Sequence, residues 1–192
     1  MNLRQNSYVR VALAAIVALS GCARATSSSS VPSLTRGYDA QVSDGVARLR
    51  AATRPYHSLD SAVAVGYPRT VPDCLVHEQH GAMGYHHVNR EYVDAKLEIA
   101  RPEILLYERL ADGTYRLNGV EFIVPYRLWP RDSVAPVLMG QTLHHEDNLK
   151  IWYLHVWAWM RNSEGLFANF NPDVACRGGT GKVYTPFAEP PG

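Results

Sequence analysis

Neither positive nor negative charge is in excess in this chain of 192 residues: 19 Lys and Arg stand against 18 Asp and Glu, a formal net charge of +1. A near-neutral chain lacks the basic surface that phosphate binding needs, which excludes nucleic acid as a partner. Long apolar runs are missing too. After the first twenty residues nothing approaches the ~20 apolar residues that span a bilayer core of about 30 Å. Cysteine is scarce, with three residues at 22, 74 and 176 and no close Cys-x-x-Cys pair.

Three common catalytic signatures are absent. There is no Gly-x-Ser-x-Gly elbow. "HEQH" sets His77 and His80 at i and i+3, whereas the zinc-protease helix needs i and i+4 with a glutamate between. "GGTGK" lacks the glycine five residues before Gly181, where Cys176 stands, and has Val183 in place of the magnesium-binding Ser or Thr of a phosphate loop.

What is present begins with a targeting pattern. Arg4 and Arg10 precede the nine apolar residues Val11 to Leu19, too short to span and suited to a secretory signal peptide. Leu19-Ser20-Gly21-Cys22 fits a bacterial lipobox, with acylation of the Cys22 thiol by chains such as palmitate and cleavage before it. The alternative is an ordinary signal peptide that happens to hold a cysteine. Two or three acyl chains give stable anchoring where one binds only marginally. Residues 1–21 are thus expected to be a lipoprotein signal peptide, and 22–36 a flexible tether rich in serine. Residues 37–192 form a single domain. Ala23 after the cysteine, rather than Asp, favours sorting from the cell envelope's inner membrane to an outer one where such exists. Processing removes two basic residues and no acidic one, leaving 17 against 18. With Cys22 lipidated, Cys74 and Cys176 are left to form one disulfide in an oxidising compartment. Its loop of about 100 residues is worth ~4–5 kcal/mol in the chain-entropy model. Two free thiols acting as metal ligands are the alternative.

The pattern in 37–192 is α+β: a twisted antiparallel sheet with N-terminal helices packed on one face and long irregular loops. Asp39 caps a helix to about Thr53, with Val42, Val46 and Leu49 on one side and Pro55 ending it. Ser58 caps a second, ended by Gly66. "CLVHEQHGAMGYHH" (74–87) reads as a histidine-rich loop, and 92–100 as a short helical stretch. Strands flank the tight turn at Asp112-Gly113, with a bulge at Asn118-Gly119. A third strand covers 149–159, and "TPFAEPPG" makes an irregular tail.

Strand parity singles out two polar residues. Glu121 alternates with Val120 and Phe122, and His155 with Leu154 and Val156, so both point away from their strands' aliphatic sides. On neighbouring strands they would share a covered face, where neither is comfortable unpaired. The glycines at 81 and 84 allow His86 to approach the same place. Two histidines and a carboxylate suit a divalent iron, zinc or copper ion. The alternative is an ion-free hydrogen-bonded network completed by Tyr85 or Asn89. His77, His80 and His87 read as loop residues, His144-His145-Glu146-Asp147 as a solvated turn or a surface ion contact, and Met83 as packed or as a soft ligand for Cu(I). Tyr153, Trp157, Trp159 and Phe170 suggest an aromatic ligand pocket or plain core.

"GAMGYHHVN" (81–89), "PEILLYE…GVEFIVP" (102–125) and "LHVWAWMRNSEGLFANFNPDVAC" (154–176) occur together. The combination resembles an uncharacterised family of bacterial exported proteins of lipoprotein type, with G-x-M-G-x-H, P-E-x-L-L-Y-E and L-H-x-W…N-x-x-G-x-F…N-P segments. The resemblance implies export and a single domain, and it picks out His86, Glu121 and His155 without giving them a role. Three functions fit: a lipid-anchored binding module for a metal ion or small ligand, a metal-dependent envelope oxygenase or hydrolase, or a structural lipoprotein without a ligand. The first is the expectation, because no established nucleophile or acid–base motif is visible.

Overall fold

The computed structural model describes residues 30, 34–69, 74–178 and 182–183. The signal peptide, Cys22, most of the tether and the tail 184–192 lie outside the described residues. Leu34 and Thr35, at the end of the expected tether, are buried in the domain.

Helix α1, Ala40–Thr53, starts where Asp39 accepts a hydrogen bond from the Val42 amide at 2.9 Å. Val42, Val46 and Leu49 form its buried side, as their spacing requires. A 3-10 turn, Arg54–His57, carries Pro55 and leads to the short helix α2, Leu59–Ala64, capped by the Ser58 hydroxyl. Both helices pack against the sheet through a cluster that includes Leu105, Tyr107, Leu117, Val120, Phe122, Val124, Leu154 and Val156. The domain is therefore α+β, with N-terminal helices on a curled, twisted antiparallel sheet. Among the described residues no helix is long and apolar enough to cross a membrane.

The strands are β1 Cys74–His77, β2 Gly81–Val88, β3 Ile104–Arg109, β4 Tyr115–Pro125, β5 Val137–Leu138, β6 Gln141–Thr142, β7 His144–Glu146, β8 Ile151–Val156 and β9 Lys182–Val183. The main sheet runs β7-β8-β4-β3-β2-β1-β9, antiparallel except where β9 joins β1, and β5-β6 is a separate ribbon. The β3–β4 hairpin turns at Asp112-Gly113, where Gly113 has φ +84 and the Asp112 carboxylate accepts from Thr114. Leu106 pairs with Gly119 and Tyr107 with Leu117, so Asn118 is the extra residue of a bulge within one strand.

Four expectations need correcting. The histidine-rich segment is a strand pair, β1 and β2, rather than a loop. Gly81 and Gly84 are compatible with strand pairing because each sits under another chain segment: a Cβ would come within 2.2 Å of the Asn171 carbonyl at the first and 2.5 Å of the Tyr107 carbonyl at the second. His144 to Glu146 form an edge strand rather than a turn, held by the aromatic strand β8 beside them. Residues 92–100 are turns and bends without a helix. Strand β8 itself is shorter than 149–159. Cys74 and Cys176 are disulfide-linked and clamp β1 to the segment after β8.

Candidate metal centre

The face of the sheet away from the helices carries a second, smaller apolar cluster of Ile104, Leu106, Ile123 and Tyr153. Strand alternation sets three polar side chains among them. Glu121 on β4 pairs directly with His155 on β8 and, on its other side, with Ile104 on β3. His86 on β2 pairs with Leu106. Two strand spacings, about 10 Å, separate the β2 and β4 backbones, and the long imidazole and carboxylate side chains meet across β3.

His86 Nε2 lies 3.4 Å from Glu121 Oε2, and His155 Nε2 lies 3.8 Å from the same oxygen. One ligand atom from each residue fits within a mutual separation of 4.8 Å. Ligands about 2 Å from a shared ion stand roughly 3 Å apart, so small side-chain movements bring the set to bonding distance. Relative exposure of the side chains is 16% for His86, 7% for Glu121 and 1% for His155, so the site meets solvent chiefly past His86.

Burial governs the charges. It pushes the Glu121 carboxyl up to about 8, with the neighbouring Glu103 adding to the shift. Burial lowers His86 to about 4, opposed by a hydrogen bond to the Gly84 carbonyl. Burial, and then the His86 and His144 rings, hold His155 well below the usual imidazole range. At neutral pH the three groups are neutral, and the His–Glu contacts are not ion pairs. Nor are they good hydrogen bonds, since 3.4 Å and 3.8 Å exceed the ordinary N···O range. Both ring nitrogens of His155 are buried without a hydrogen-bond partner.

These distances count against the ion-free network. Its expected partners are engaged elsewhere: Tyr85 donates to the Arg177 carbonyl, and Asn89 donates to the Val65 carbonyl. Buried polar groups are normally satisfied, and a cation is what this donor set can satisfy. Two imidazoles and a carboxylate fit a divalent metal ion.

The remaining histidines do not join. His77 Nδ1 accepts from the Gln79 and His80 amides in the β1–β2 turn, and His80 pairs with Glu164 at 2.8 Å. His87 points to the opposite face, with Nδ1 2.6 Å from the Pro68 carbonyl. His145 contacts Arg131 and Asp147. Met83 is packed. The aromatic residues do not line one pocket. Tyr153 lies in the metal-face cluster, Trp157 packs with Ala82 and Val174, and Trp159 sits against the helical core with its indole donating to Thr53. Two residues near the centre escaped sequence reasoning: Glu103, which accepts from the Ile123 amide, and Asn169, which donates to the Tyr153 hydroxyl; His144, read as part of a solvated turn, faces Tyr153 from β7.

A scan against protein-family models finds no match, and neither do searches of curated proteins and of solved structures.

Proposed function

We propose that the protein is a metal-dependent enzyme, an oxygenase or hydrolase working at a single divalent ion held by His86, Glu121 and His155. The observation that carries this is the convergence of three donors, Glu121 and His155 buried and His86 partly so, with no fourth His, Cys, Asp or Glu in the group among the described residues. Structural zinc sites are closed by four protein ligands, whereas catalytic sites keep a position open. Such an ion would supply Lewis acidity, or redox chemistry if it is iron or copper. Glu121 would contribute the only negative charge once its proton is displaced. Ile104, Leu106, Ile123 and Tyr153 keep water scarce around the donors, which strengthens electrostatic effects there. The second reading is a binding module without turnover, favoured by the narrow opening beside His86.

Cobalt titration separates the two. Untagged, chelator-stripped protein should bind one Co(II) per chain, and the visible spectrum should change when azide is added to an open position. A spectrum indifferent to azide would indicate a closed site and support the binding module. No cobalt binding would sink the metal reading.

The same reading has the domain lipid-anchored in the cell envelope through Cys22, at an outer membrane where one exists. Its support is the basic start, the short apolar run and the lipobox-like Leu19-Ser20-Gly21-Cys22. Cys22→Ala should move the protein from the membrane fraction to the soluble one; unchanged fractionation would refute the anchor.

A further inference from the structure

We infer that Asn169, braced by Tyr153, is the positioning residue of His155: it accepts the ring's Nδ1–H and so turns the Nε2 lone pair toward the metal position. The inference rests on the metal reading for its purpose, though not for its geometry.

Nε2 of His155 is the nitrogen that faces Glu121, at 3.8 Å. Nδ1 therefore points away from the centre, and it is buried without a partner. Asn169 supplies the complementary deficit. Its Nδ2 donates to the Tyr153 hydroxyl at 3.1 Å, while its Oδ1 is buried and has no hydrogen bond. The side chain lies close enough to His155 to act on the ring, favouring its protonated form against the effect of burial. A donor nitrogen and an acceptor oxygen, both buried and otherwise unsatisfied on neighbouring side chains, gain by pairing with each other. Ligand binding at Nε2 supplies the reason for that pairing.

The contrast with His86 gives the argument its weight. His86 already has a backbone acceptor in the Gly84 carbonyl. His155 has no such backbone partner. Histidine ligands ordinarily give their second N–H to a carboxylate, a carbonyl or water, which fixes tautomer and orientation. A side-chain amide carbonyl can do the same.

Asn169 is well held for this task. The Ala168 carbonyl before it accepts from the Trp157 indole at 2.7 Å, and the Phe170 carbonyl after it accepts from Asn162 at 2.7 Å. Asn171 exchanges backbone hydrogen bonds with Ala82 on β2. With its Nδ2 on the Tyr153 hydroxyl, the amide leaves its oxygen for the ring.

The test uses the whole domain, apo and with Zn(II). Imidazole ¹⁵N shifts of the apo protein should show His155 as the Nδ1–H tautomer. Asn169→Asp keeps an acceptor and should retain both that tautomer and wild-type Zn(II) affinity within about threefold. Asn169→Leu removes the acceptor and Asn169→Ser withdraws it beyond reach of the ring; both should lose the tautomer preference and weaken Zn(II) binding by roughly 10–100-fold. Using Ser as well as Leu covers a failure of the bulkier variant to fold. Tyr153→Phe should give a smaller loss. Unchanged tautomer and affinity in the Leu or Ser variant would overturn the inference. So would an Asp variant as weak as the Leu variant, since that would make the amide N–H the working group. If wild type binds no Zn(II), the metal reading fails, and the apo tautomers still decide the role of Asn169.

Discussion

His86 and His87 are adjacent in sequence and lie on opposite faces of one strand, and the two faces have different work. On the helical face, α1 and α2 close over a large apolar cluster in which Val46, Leu49, Val120 and Phe122 are fully buried. Polar groups there are settled on backbone carbonyls: His87 on Pro68, the Tyr67 hydroxyl on Pro102, the Tyr107 hydroxyl on Tyr56. On the other face the apolar cluster is small, and loops rather than helices lie near it. There His86, Glu121 and His155 approach one another, and neither nitrogen of His155 is paired. His87 also keeps one nitrogen, Nε2, unpartnered. An orphaned nitrogen is thus no sign of a metal site by itself. What distinguishes the second face is convergence, with one ligand atom from each of three residues within 4.8 Å of the others.

Truncating polar side chains on each face in turn is the strongest way to break this comparison. His155→Ala and Glu121→Ala should abolish stoichiometric Zn(II) binding in competition titrations. His87→Ala should still bind one Zn(II) per chain, yet lose about 2–4 kcal/mol of stability in urea unfolding, because a buried ring and its hydrogen bond are removed from a tightly packed core. Zinc binding that survives in His155→Ala and vanishes in His87→Ala would reverse the assignment of the faces.

The helical face was the more legible of the two in the sequence. Val42, Val46 and Leu49 recur at helical spacing, and Asp39 and Ser58 are capping residues at the right places, so local rules suffice. Asp112-Gly113 is likewise a local signal, and the bulge at Asn118 followed from the shortness of the alternative strand. The histidine segment misled because Gly81 and Gly84 read as loop glycines, whereas they make room for the Asn171 and Tyr107 carbonyls packed against them. That is tertiary information. The centre was half legible. Parity assigns Glu121 and His155 to one side, but their direct pairing depends on β4 and β8 being neighbours although β5, β6 and β7 intervene in the chain. Asn169 was out of reach, since nothing in "GLFANFNP" says which asparagine turns inward.

The gentler way to sharpen the comparison is pH, because the ligand face holds titrating groups whose burial sets them against the unfolded chain. Glu121 moves from 4.5 in the unfolded state to about 8 when folded, and so does Glu103 at the start of β3. Between those values the folded state keeps a proton that the unfolded chain has released, so each carboxyl makes stability fall as pH rises. His86 moves the other way, from 6.5 to about 4, and there the unfolded chain holds the extra proton, so stability falls as pH drops through that range. From pH 4.5 to 6.5 the two tendencies oppose each other. Above 6.5 only the carboxyls act, and the apo protein should lose about 1.4 kcal/mol per pH unit for each of them until pH 8. Glu121→Gln should remove one of these two contributions and roughly halve the slope in urea unfolding between pH 6.5 and 8. Saturating Zn(II) should flatten the wild-type profile there, since the ion takes the place of the Glu121 proton. A flat apo profile, or a Gln variant with the wild-type slope, would show that Glu121 is already ionised without metal. The centre would then be an ordinary charged cluster rather than a neutral one awaiting a cation.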